Sequence, residues 1–118
     1  MKKLLLLISL MISLTYYVQA QKHQENNLNL YHSCQEYFQS EHYDVCLTQT
    51  ENLLAQSQGL SEGQVEHARF MQAASAFYLN QMNSSLLLRD FLADYSMSVY
   101  APKAFFLLGT CAMTAGQY

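Results

Sequence analysis

One proline and four glycines are all that 118 residues contain, and neither residue type occurs before Gly59. Residues that interrupt a helix are therefore scarce, and the windows between them are long. No segment alternates apolar and polar residues over the length of a strand. The pattern predicts an all-helical chain with windows at about residues 26–39, 43–58, 62–80, 84–94 and 100–115. Inside them apolar residues recur at the spacing of one helical face. Tyr43, Cys46, Leu47, Thr50, Leu53 and Leu54 do so in the second window, and Phe70, Ala73, Ala74, Phe77 and Tyr78 in the third.

The interruptions have local physical causes. Ser40-Glu41-His42 breaks the apolar rhythm between the first two windows. Gly59 lacks a Cβ and can take the left-handed backbone that ends a helix. Ser61-Glu62-Gly63-Gln64 has the spacing of a capping box, in which the Ser61 hydroxyl accepts from the Gln64 N–H and Gln64 reaches back. Asn83 or Ser84 can cap the fourth helix and Ser98 the fifth, and Pro102 falls near the fifth helix's start, where a missing N–H costs little. Connections this short require consecutive helices to turn back as antiparallel hairpins.

The first twenty residues have a different character. Met1-Lys2-Lys3 is a basic start, LLLLISLMISL from Leu4 to Leu14 is an apolar run, and TYYVQA follows with Val18 and Ala20 at the −3 and −1 positions of a cleavage site. These are the parts of a secretory signal peptide. The run is shorter than the 18 or so apolar residues that a bilayer-crossing helix needs. Residues 1–20 are thus expected to be a removable signal, with no membrane span left after cleavage, and residues 21–118 to be one exported helical domain. Gln21, not Cys, follows the cut, so a lipoprotein is not expected.

Removal of Lys2 and Lys3 leaves four basic residues against nine acidic, a net charge of −5. An acidic surface of that size argues against nucleic acid, whose binding displaces counterions with basic side chains. Catalytic constellations are sparse. His32 and Glu36 share a helical face but lack a third metal ligand, so a solvated face is the better account. His42 and Asp44 read as loop and helix-start residues. No phosphate-cradling glycine loop is present, and nothing around the cysteines would form an oxyanion hole. The expectation is a non-enzymatic chain with no cofactor and no metal.

Small residues sit in the middle of alternate helices at Cys34, Ala73 and Gly109, spaced by 39 and 36 residues. Tyr37, Tyr43 and Cys46 follow the first at fixed offsets, and Ala76, Met82 and Ser85 follow the second. Leu108-Gly109, Gly116 and Tyr118 supply part of a third frame, and the connector FLADYSMSVYAPKAFFLLG joins the second and third. This pattern resembles the tetratricopeptide-repeat (TPR) family, whose period is about 34 residues. The connector resembles the corresponding run in exported bacterial envelope members of the outer-membrane assembly lipoprotein and cell-division coordinator type. The resemblance implies helix hairpins stacked as a right-handed solenoid, with units at about residues 28–58, 62–97 and 100–118. The last unit would lack its second helix, which suggests a partial chain, because solenoid ends are normally capped.

The resemblance also implies a function. In such stacks the first helix of each hairpin lines a concave groove that binds a protein or peptide segment. Here that face would present Tyr31, Gln35, Phe38 and Gln39, then His67, Phe70, Phe77 and Tyr78, then Lys103, Phe106, Thr110 and Met113. The alternative for these aromatics is the core, the usual place of a stripe at helical spacing. Cys34 and Cys46 occupy positions that face each other in a TPR hairpin, so in an oxidising periplasm they are candidates for a disulfide. The alternative is that each replaces Ala as a small buried hydrophobe. The expected protein is a periplasmic interaction scaffold. Its alternatives are an oligomerising envelope assembly or division factor, with self-association through the incomplete third repeat, and the accessory N-terminal part of a larger protein with catalysis elsewhere.

Overall fold

The computed structural model describes residues 1–114. Five α-helices follow one another: α1 (Lys2–Gln39), α2 (Tyr43–Ala55), α3 (Glu62–Tyr78), α4 (Ser84–Asp94) and α5 (Ala101–Thr114). The described residues contain no strand. The helix windows read from the sequence recur within a few residues, with one exception. Instead of starting near residue 26, α1 runs unbroken from Lys2, because no glycine, proline or capping geometry intervenes before Ser40. Residues 1–26 are all exposed. An 18-residue window near its start has a mean hydropathy of 1.5 with none of it buried, long and apolar enough to serve as a signal sequence or as a membrane span.

Helix α3 is the hub. It touches all four other helices, whereas neither α1 nor α2 touches α4 or α5. Four consecutive residues, Ala73, Ala74, Ser75 and Ala76, are buried on it. A run of four covers every side of a helix, so α3 is enclosed all round at this level. Side chains this small let the neighbours approach closely. One apolar cluster joins Tyr31, Cys34, Cys46 and Leu53 to Ala68 and Met71. A second joins Phe70, Ala73 and Ala74 to Leu88, Phe91, Leu92, Ala101, Ala104 and Leu107. Phe38 packs against both.

The connections carry the geometry. At the end of α1 the Glu41 N–H donates to the Phe38 carbonyl (3.2 Å) and the His42 N–H to the Tyr37 carbonyl (2.8 Å). At the end of α3 the Asn80 N–H donates to the Phe77 carbonyl (3.0 Å) and the Gln81 N–H to the Ala76 carbonyl (2.9 Å). Both are Schellman closures with one left-handed residue, Glu41 at φ 64° and Asn80 at φ 56°. The two turns are offset by 39 residues, the same offset that separates Cys34 from Ala73. The corresponding frame at Gly116 lies outside the described residues.

Between the hairpins, Gly59 has φ +83°, and a Cβ there would stand 2.7 Å from the Gln24 Cβ. The Asn27 side-chain amide donates to the Gln58 carbonyl at 3.0 Å, fixing this loop against α1. The capping box forms as read: the Gln64 N–H donates to Ser61 Oγ (3.2 Å) and the Ser61 N–H to Gln64 Oε1 (2.9 Å). Asn83 stands at the cap of α4 without a side-chain hydrogen bond. Ser98 Oγ accepts from the Tyr100 N–H at 3.1 Å just before α5.

Two substitutions should move stability in opposite directions. Glu41→Gly relieves a left-handed penalty of about 1–2 kcal/mol while adding unfolded-chain entropy, for a net gain of about 0.5–1 kcal/mol. Gly59→Ala meets both a positive φ and the Gln24 backbone and should cost about 2 kcal/mol. Urea unfolding of the two variants beside the parent checks both signs.

Candidate binding surface

The residues expected to line a groove separate into two groups. Tyr31 and Phe70 are buried, at 7% and 6% exposure, and belong to the core. Gln35, Phe38, His67, Phe77 and Thr110 are half-buried, while Gln39, Tyr78, Lys103, Phe106 and Met113 are exposed. The inner group is consumed in contacts between helices. Tyr31 on α1 shares a 2.8 Å hydrogen bond with His67 Nδ1 on α3. The His67 ring lies parallel to Tyr100 at 4.8 Å, and Phe70 stacks on the same tyrosine at 5.0 Å. Phe70 meets Phe38 edge-on at 6.2 Å. At the next level Tyr43 stacks on Tyr78 at 4.5 Å and Phe38 meets Tyr43 at 5.6 Å.

These contacts make a seam that ties α1, α3 and the start of α5 together. Tyr100 was not singled out in the sequence, where it only opens the fifth window, yet it is the ring that both His67 and Phe70 lie against. Burial lowers the His67 pKa from its usual range. Burial first, and then the neighbouring Tyr100, raises that of Tyr31. A neutral imidazole bonded to a neutral phenol is a strut between helices.

The exposed group points instead to α5. Phe105 and Phe106 are 58% and 66% exposed and Met113 is 65% exposed. Gly109 lies among them with nothing within 4 Å of where its Cβ would be. The small residue at Gly109 therefore does not serve close packing among the described residues, unlike Cys34 and Ala73, which are buried. Lys103, the one charge in α5, holds its ammonium 5.3 Å from the Phe106 ring centre. Met97 and Val99 in the preceding connector are also exposed. Ala101, Ala104 and Leu107 take the buried face of α5, and Phe105 and Phe106 fall on the side away from it.

Beside it, an open cavity of about 410 Å³ lies between the end of α3, the start of α4 and the second half of α5. Phe77, Ser84, Arg89, Leu108 and Cys111 are among its walls. Ser84 Oγ and Cys111 Sγ are 3.7 Å apart there. Among the described residues, no three His, Cys, Asp or Glu side chains gather into a metal site. His32 lies on Gln35 (3.3 Å), and His42 on Ser40 (2.8 Å).

Cys34 and Cys46 are free thiols, both fully buried in the first cluster. Burial, and then the adjacent Cys46, pushes the Cys34 thiol up to about 12. Burial raises Cys46 too, against a smaller opposite pull from the Ser75 hydroxyl beside it. Ser75 Oγ has no hydrogen-bond partner among the described residues.

No family model matches the chain, and neither a curated protein nor a solved structure matches it.

Two measurements bear on this surface. Because the folded pKa of His67 lies below its unfolded value of about 6.5, the unfolded chain takes up the proton first as the pH falls. Stability is complete above about 6.5 and declines below it until folded His67 is protonated as well. His67→Phe should keep the stack on Tyr100, lose about 1 kcal/mol at pH 7.5 with the Tyr31 hydrogen bond, and show a smaller decline to pH 5. Thermal melts across pH test this. In chain folded under reducing conditions, a thiol reagent should label Cys111 first. Cys34 and Cys46 should react only after denaturation, since the thiolate is the nucleophile.

Proposed function

We propose that this chain is an exported, non-enzymatic helical-repeat scaffold of tetratricopeptide type that holds a segment of a partner protein against α5 and the connector before it. The observation that carries the binding part is the exposed apolar stripe Phe105, Phe106, Gly109 and Met113, on a helix with a single charge. Aromatic side chains with a small residue between them suit a partner helix or an extended segment with one apolar anchor. The repeat part is supported by two Schellman turns, 39 residues apart, that end α1 and α3 with the same hydrogen bonds. Contact restricted to neighbouring hairpins, with α3 between them, also suits a stacked array. The stack would be a right-handed solenoid with its concave side along α1, α3 and α5.

Export rests on the first twenty residues. They are exposed throughout, so cleavage after Ala20 removes no packing from the helical body. The body begins at Gln24 and Asn27, the first residues to meet the Gln58-Gly59 loop. In an oxidising envelope compartment Cys34 and Cys46 would close to a disulfide during folding, before the cluster shuts them off from oxidant. Peptide mapping of unreduced exported protein should then link these two, with Cys111 free. Self-association is the second reading, favoured by the same stripe: a large–small–large row is complementary to its own antiparallel copy.

Photo-crosslinking in the exporting cell tests the proposal. A photoreactive residue at 106 or 113 should capture one discrete adduct, and the same residue at Thr48 or Glu51, exposed on α2, should capture none. Adducts at all four positions would refute the α5 surface, and an adduct with the mass of two chains would select self-association.

A further inference from the structure

We propose that Gln21 is a modification site: the mature chain begins as a pyroglutamate, formed by cyclisation of Gln21 onto its own α-amine. The inference rests on cleavage after Ala20. In the precursor, Gln21 lies inside α1, in an exposed stretch that ends where Asn27 donates to the Gln58 carbonyl. Cleavage turns it into the first residue of a helix held less than two turns further on. A new α-ammonium would then stand at the positive end of the helix dipole, beside Lys22. Gln21, Lys22 and His23 are exposed, so water meets the N–H groups freed there, and no Ser, Thr, Asp or Asn stands before Asn26 to cap the new end.

Glu25, one turn on, offsets part of that field. At the ordinary α-amine pKa of about 7.7–8.0 a fraction of the amine is uncharged at neutral pH, and that fraction is the nucleophile. The amine nitrogen attacks the side-chain Cδ, a C–N bond forms, the bond from Cδ to the amide nitrogen breaks, and ammonia leaves with the proton shed by the amine. Nothing is oxidised or reduced, and no co-reactant is required. The five-membered lactam removes the terminal charge, as acetylation does. Its ring also fixes the backbone much as proline does at the first helical position, where proline is favoured. Residues 21–23 pack against nothing that would resist the ring.

The test uses the whole precursor, expressed in an exporting bacterium and recovered from the periplasm. Intact mass after a day at neutral pH should correspond to residues 21–118 less one ammonia, and the chain should be closed to Edman degradation. A Gln21→Ala variant, cut at the same bond, should keep a free amine and melt at a lower temperature. A chain starting at Gln21 with its ammonia retained would overturn the cyclisation and leave export standing. A chain that still begins at Met1, or at another residue, would overturn both.

Discussion

The rest of the structure depends on how closely other helices can approach the middle of α3. Ala73, Ala74, Ser75 and Ala76 are all buried, and no residue among them is larger than serine. A helix enclosed on every side gains apolar contact all round, but only if its own side chains leave space for the neighbours. The cysteines of the first hairpin complete this arrangement, since Cys34 and Cys46 are wholly buried at the same cluster as Ala68 and Met71. Larger side chains lie outside the waist: Phe70 and Met71 before it, Phe77 and Tyr78 after it. Small residues at the centre and large ones beyond let α1 and α2 pack on one side while α4 and α5 pack on the other.

Close approach of this kind requires turns that do not splay the helices. Glu41 and Asn80 each accept a left-handed backbone so that two otherwise orphaned carbonyls are satisfied. Asn tolerates that conformation through its short polar side chain; Glu does so at a cost. A strained Glu41 at the position where the second hairpin uses Asn shows that closure of the turn outweighs local preference. Surface charge contributes little by comparison. Arg69 and Asp94 meet at 2.7 Å, but both are about half exposed, which limits such a pair to about 0–1 kcal/mol.

The sequence was informative wherever a local rule decides the outcome. The Ser61–Gln64 box and the starts of α2, α3 and α4 follow from chemistry within a few residues. Gly59 is left-handed as expected but does not end α2, which stops at Ala55 and leaves Gly59 in the loop. Three features were not read from the sequence, and two of them depend on more distant neighbours. The continuity of α1 past Ala20 arises because nothing in the chain stops the helix, and a signal read by composition carries no helix boundary. The open space at Gly109 shows that a small residue permits close packing without ensuring it. The division of the aromatic stripe was hidden because Tyr31, His67, Phe70 and Tyr100 come from three parts of the chain, and only the tertiary fold makes them mutual partners.

That division is why the surface proposed for a partner is α5 and not the whole expected groove. A ring already stacked between helices has lost its water and its rotational freedom, so a ligand gains little by touching its edge. Phe105, Phe106 and Met113 still present most of their apolar surface to solvent, and at about 25 cal/mol per Å² that surface is what association can remove from water. Lys103 over Phe106 restrains one of the rings before anything arrives, which lowers the ordering cost that usually offsets such gains. The seam beneath bears on the proposed surface as well. By locking α1, α3 and the start of α5 together through Tyr100, it keeps the exposed stripe on a rigid support.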